Sequence, residues 1–141
     1  MREVISWPIR VWLLFALLNL SIIISVSVVL SNAMILLFGA CLIAATIAFS
    51  RTSRLILTVS DHDLSVGGAR IESKFIREIL ALDEIAMKYE RGAGLNPRAF
   101  LALRFWVRTG VKIILNDPQD PTPYWLVSTR RANDLKAKLT R

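Results

Sequence analysis

A membrane helical hairpin followed by a small α+β domain is the architecture predicted by this 141-residue sequence. Three observations predict it. From Val11 to Ser50 no Asp, Glu, Lys, Arg or His occurs. That uncharged stretch is about twice the ~20 residues that one bilayer crossing requires. Beyond Arg51 the composition becomes ordinary, and short β-rich runs alternate with turn residues. The chain therefore divides into a two-helix hairpin over 1–54 and a basic domain over 55–141, antiparallel strands ending in a C-terminal helix.

The first crossing is VWLLFALLNLSIIISVSVVL, Val11 to Leu30, and the second is AMILLFGACLIAATIAFS, Ala33 to Ser50, with Ser31-Asn32 as the turn. A Lys or Arg at mid-membrane costs roughly 2.5–3.5 kcal/mol, whereas each Leu, Ile, Val or Phe gains about 0.3–0.6. The balance favours insertion. A signal peptide is the competing reading, but its apolar region runs only ~7–15 residues and no second apolar segment should follow. Arg2 and Arg10 flank the first helix, Arg51 and Arg54 flank the second, and the turn is uncharged. The positive-inside rule then places both termini in the cytoplasm of a multi-pass plasma-membrane protein. Trp7 and Trp12 fall where an interfacial aromatic belt would lie.

Within the hairpin, Ser21 and Ser25 are expected opposite the region of Phe38 to Leu42. Ala40, Ala44 and Ala48 form a small-xxx-small ridge that permits close backbone approach. Asn19 lies near mid-membrane, and its natural partners are Thr46 or the Asn19 of a second copy. These residues read as packing contacts, either within the hairpin or laterally in a homo-oligomer or larger membrane assembly. No ionisable group lies within the apolar stretch, which argues against a proton or ion path. Cys41, the one cysteine, excludes an intrachain disulfide.

In the domain, Leu55–Ser60 and Leu64–Val66 bracket a polar turn, Asp61-His62-Asp63, as in a hairpin. Gly67-Gly68 gives another turn, and Ala69-Arg70-Ile71 is read as an extension of the second strand. From Phe75 to Glu90, apolar residues at Phe75, Ile79, Leu82, Ala86 and Tyr89 fit an amphipathic helix ended by Gly92. The run IREILAL within it is also short and apolar enough to be a strand. Ala99–Val107 and Val111–Asp117 read as strands separated by Thr109-Gly110, and Pro123–Thr129 as a further strand. Between the last two lies a loop in which Pro118, Pro121 and Pro123 fix φ and deny backbone donors. Ala132, Leu135 and Leu139 recur at helical spacing, a closing helix with a basic last turn.

The net charge is +7, and 16 of the 18 Lys and Arg lie at or beyond Arg51. An anionic partner is expected, and for an anchored chain that partner is phospholipid, at about 1 kcal/mol per basic residue near the surface. A membrane protein is the other candidate. Nucleic acid is not expected, since no recognised motif accompanies the charge. Arg51, Arg54, Arg130 and Arg131 are the candidate contacts. Tyr124 and Trp125 should face opposite sides of their strand, and Trp125, if outward, would be an anchor. Asp117 and Asp120 are the nearest approach to paired carboxylates, but each sits in an Asp-Pro turn where backbone hydrogen bonds explain it. His62 is an isolated turn histidine. No cofactor, metal site or enzymatic activity is expected, because neither a nucleophile–base arrangement nor a calcium-loop or phosphate-loop spacing is present.

The run Asp117-Pro118-Gln119-Asp120-Pro121-Thr122-Pro123-Tyr124-Trp125-Leu126-Val127-Ser128-Thr129-Arg130-Arg131 resembles the signature of a family of small actinobacterial membrane proteins, domain of unknown function 3093. Asn96-Pro97-Arg98-Ala99-Phe100 resembles the family's Asp-Pro-Arg-Ala-Tyr element, with Asn and Phe as departures. Ala132 stands where the family often has proline. The resemblance implies two N-terminal membrane helices, a cytoplasmic domain, and a strand followed by a short helix across about 75–90. It implies no activity. The order of short strands and a final helix is similar to bacterial pleckstrin-homology-like domains, an analogy of fold alone.

Overall fold

The computed structural model describes residues 1–60, 62–118 and 120–139. Asp61 of the expected polar turn, Gln119 of the proline loop, and Thr140 and Arg141 lie outside the described residues. The chain forms two compact units: Ser6–Arg54, and a second built from Met1–Ile5 together with the residues from Leu55 onward.

The first unit is a helical hairpin, α1 (Ile9–Ser27) and α2 (Asn32–Thr52). Pro8 and Ser31, both extended, precede the two helices. Pro8 suits a helix start because its missing N–H has no intrahelical acceptor to lose. Both helices are long and apolar enough to cross a membrane. Only 6% and 11% of their most apolar windows are buried, whereas the core helix of a water-soluble domain would be largely covered. The covered residues recur as Val11, Phe15, Asn19, Ile22 and Val26 on α1, and as Ile35, Gly39, Leu42, Thr46 and Ser50 on α2. That spacing of threes and fours marks the seam of two nearly antiparallel helices. It differs from the expected packing. Ser21, Ala40, Ala44 and Ala48 are all exposed, because Gly39 already supplies the close approach, with Ile23 against it. At the open end Trp7 stacks on Phe15 at 4.6 Å and meets Trp12 and Phe49 edge-on at 5.3 and 5.6 Å.

The second unit has two four-stranded sheets. The first is a meander of β1 (Arg2–Ile5), β2 (Leu55–Val59), β3 (Asp63–Val66) and β4 (Ala69–Glu72), all antiparallel. The N-terminal residues therefore belong to the strand unit, not to the hairpin as the 1–54 division held. Met1–Ile5 carries just two inward apolar residues, Met1 and Ile5, too short a pattern to read as a strand. Ala69–Ile71 does not extend β3 but pairs back on it as β4. Gly67 and Gly68 have φ of 59° and 100°, the positive values that a two-residue hairpin turn demands.

The second sheet comprises β5 (Ile76–Leu82), β6 (Phe100–Ala102), β7 (Gly110–Leu115) and β8 (Tyr124–Ser128), in the order β5-β7-β8-β6. The run from 75 to 90 divides into β5 and α3 (Glu84–Arg91) at Asp83, whose carboxylate accepts from the Ala86 N–H at 2.8 Å. That cap satisfies a donor at the helix start and fixes where the helix begins. The long strand expected over Ala99–Val107 shrinks to β6, which runs parallel to β8. Its continuation is diverted because the Arg104 N–H donates to Ser128 Oγ at 3.0 Å and Val107 turns back on the Arg104 carbonyl.

One core lies between the sheets, with Leu57, Val66, Ile113 and Trp125 at its centre and Leu135 of α4 (Ala132–Leu139) closing it. A smaller cluster on the outer face of the second sheet joins Leu82, Met87, Tyr124 and Leu126. Strand β8 is thus covered on both faces.

Candidate functional site

The two segments that carry the sequence signature come together. Parallel pairing sets Phe100 opposite Trp125, with ring centroids 4.6 Å apart. Trp125 is 5% and Tyr124 6% exposed. Trp125 is therefore not an outward anchor. The two residues do alternate, but each side of β8 has its own core. Tyr124 Oη accepts from the Asn96 N–H at 2.8 Å and lies 3.4 Å from the Gly94 carbonyl, while Asn96 Oδ1 accepts from the Arg98 N–H at 2.9 Å. The phenol thus staples the loop after α3 to the second sheet. Tyr124→Phe leaves a partly buried N–H without its acceptor and should cost about 1–3 kcal/mol, read from chemical unfolding of the full chain in detergent micelles.

In the proline loop, Pro118 and Pro121 are exposed, and the Pro123 carbonyl accepts from the Leu115 N–H at 3.2 Å, continuing the β7–β8 ladder. Asp117 and Asp120 line an open cavity of about 470 Å³ together with Asp63, Arg70, Glu72 and the edge of Trp125. Asp63 is ion-paired to Arg70, and that bond holds its carboxyl below the usual aspartate value. Asp120 Oδ1 accepts from the Thr122 N–H at 2.9 Å. Hydrogen bonds from Thr122 likewise lower its pKa. No three His, Cys, Asp or Glu side chains among the described residues group closely enough to hold a metal ion. A carboxylate with a depressed folded pKa contributes stability that is present above its unfolded pKa of ~3.9 and lost as pH falls through the folded value. Asp120→Asn should accordingly flatten the acid limb of the stability profile, measured by unfolding between about pH 2 and 5.

Arg130 and Arg131 join β8 to α4. Arg131 pairs with Asp134 at 2.7 Å. The backbone N–H of Arg130 donates to a Glu3 carboxylate oxygen at 3.1 Å, and the Thr129 hydroxyl donates to the other oxygen. Glu3 thus ties the N-terminal strand to the turn before α4, a role that no spacing in the sequence signals. A second arrangement missed by sequence reading centres on Ser128. Arg91 Nη2 donates to its hydroxyl at 2.9 Å and to the Val107 carbonyl at 2.7 Å. Burial pushes the pKa of Arg91 and of Arg104 down, though an arginine remains charged in either case. The Arg91 guanidinium, reaching from α3, holds the loop between β6 and β7 in place.

The surface charge is lopsided. In the strand unit the exposed side chains of Arg2, Arg77, Lys88, Arg98, Arg130 and Lys138 form no ion pair among the described residues. Of the carboxylates among the described residues, only Glu78 has neither an ion-pair nor a hydrogen-bond partner. In the hairpin unit Arg51 and Arg54, at the end of α2, are exposed, and neither side chain is ion-paired. Asn19 Nδ2 donates to Thr46 Oγ1 at 3.0 Å, and the Thr46 hydroxyl passes its own proton to the Leu42 carbonyl at 2.8 Å.

The fold and its surface define a class: an apolar helical hairpin and a small two-sheet domain with excess cations, whose first sheet pairs the chain segments that flank the hairpin in sequence. The chain belongs to the family described as Protein of unknown function (DUF3093), which matches residues 1–139. No curated protein and no solved structure matches it.

Proposed function

We propose that this chain is a non-catalytic, membrane-anchored docking module. The hairpin spans the cell membrane with both ends in the cytoplasm, and the strand domain rests its cations on anionic phospholipid. The observation that carries this reading is the imbalance of partners among the described residues of the strand unit: six exposed cations are unpaired, while nearly every carboxylate is engaged. Each such cation near an anionic surface contributes about 1 kcal/mol. Connectivity supports the topology. Residues on either side of the hairpin, Arg2–Ile5 and Leu55–Val59, pair in one sheet, so one side of the bilayer must hold both. Arg2, Arg10, Arg51 and Arg54 make that side the cytoplasm by the positive-inside rule. Only Ser53 and Arg54 separate α2 from β2, which keeps the domain at the head groups. Two four-stranded sheets closed by a C-terminal helix also support a pleckstrin-homology-like fold.

The test uses the full chain in nanodiscs. Amide exchange around Lys88, Arg98, Arg130 and Lys138 should slow when anionic lipid replaces zwitterionic lipid, and should recover in high salt. Identical exchange in both lipids at low salt would remove the lipid-docking reading. A second reading, an accessory subunit held through the hairpin, is favoured by the hydrogen-bonding state of Asn19.

A further inference from the structure

On one side of the hairpin a groove of about 350 Å³ runs between the helices, walled by Trp12, Ala16, Leu20 and Ile23 of α1 and by Ile43 and Ile47 of α2. The Asn19–Thr46 hydrogen bond lies in its floor. A carboxamide has two N–H donors and a carbonyl with two lone pairs. Thr46 takes one N–H. The second N–H and the carbonyl oxygen of Asn19 have no partner among the described residues of this copy of the chain. In hydrocarbon nothing else can supply one, since acyl chains neither donate nor accept.

We propose that this groove is the contact between two copies of the chain, with the two Asn19 amides hydrogen-bonded to each other. The proposal rests on the membrane-spanning reading of the hairpin. It commits to a second copy because an amide is self-complementary. Across a two-fold axis one Asn19 presents its free N–H to the other's carbonyl and receives the same in return, so both leftovers are satisfied by one isologous contact. A polar residue at such a seam also fixes register, since any slip leaves both amides bare. Room for the approach exists. Ala16 lies one turn before Asn19. At ~100° per residue, Ala40 and Ala44 occupy the arc of α2 next to Ile43 and Ile47, where both are exposed. Ser21, by the same phase, falls on the opposite side of α1.

The experiment is Förster transfer between donor- and acceptor-labelled C termini of the full chain in liposomes, over a series of protein-to-lipid ratios. Wild type should dimerise. Asn19→Leu, of similar side-chain volume, should weaken the dimer roughly 10- to 1,000-fold, because both reciprocal intramembrane hydrogen bonds are lost together. Ala16→Phe, which fills the groove, should abolish it, and Ser21→Leu should leave it unchanged. A dimer insensitive to both groove variants would overturn the proposal, and so would wild-type chains that insert yet stay monomeric at every ratio. If instead the protein leaves the membrane in an alkaline carbonate wash, it is the spanning reading itself that fails.

Discussion

Trp125→Ala is expected to destabilise the strand domain by about 3–5 kcal/mol, as removal of a buried indole does elsewhere. The indole is 5% exposed and packs on Phe100, in a core shared by both sheets and α4. Its removal leaves a void beside Phe100 and the cross-strand neighbour Ile113, and paired strands cannot collapse onto that space without losing their register. Pulse proteolysis of the full chain in micelles would measure the change, because cleavage follows transient opening of the domain. An outward anchor would lose contacts only with a partner, and its substitution would lie within about 0.5 kcal/mol of neutral. The experiment therefore separates an architectural tryptophan from a docking one.

Gly110→Ala should cost about 3 kcal/mol or more, at the upper end for overpacking. Gly110 begins β7 opposite Ser128. A Cβ there would lie 2.4 Å from the Val127 carbonyl oxygen and 2.7 Å from Met87 Cε. The methionine could swing away. The carbonyl is fixed within β8 and cannot. For a domain of this size the loss corresponds to a melting temperature roughly 10–25 °C lower, measurable by differential scanning on the reconstituted protein. Gly68, by contrast, has open space around its Cα, and a substitution there would suffer from its positive φ alone.

What the sequence makes legible, and what it hides, follows from the range of the interactions. The two long apolar helices are visible because the absence of charge and the excess of apolar side chains run through every turn of a long segment. Strands β2, β3, β7 and β8 are visible for a similar reason, as each alternates or is apolar throughout. The turn at Gly67-Gly68 is local too, yet its consequence, a fourth strand in Ala69–Glu72, depends on pairing across the turn. Strand β1 is four residues long and acquires meaning only from β2, fifty or more positions away. The truncation of β6 is equally non-local: Ser128 and Arg91 capture backbone groups that would otherwise extend the ladder. In the hairpin, the alanine spacing is a genuine helical face. Its neighbour Gly39 is the residue that meets α1, and composition alone does not distinguish the two sides of a uniformly apolar helix.

The pairing of β1 with β2 bears on how the protein is made. Residues 2–5 leave the ribosome before both apolar segments, but their strand partner emerges only after both have been synthesised. The sheet can therefore close only when the first residues of the chain and those after the second helix are in the same compartment. A hairpin inserted with one segment missed or reversed would leave Leu55–Val59 with a bare hydrogen-bonding edge and the Thr129–Arg130 turn without Glu3. On the proposed membrane-spanning reading, a misthreaded chain would therefore lack a closed first sheet.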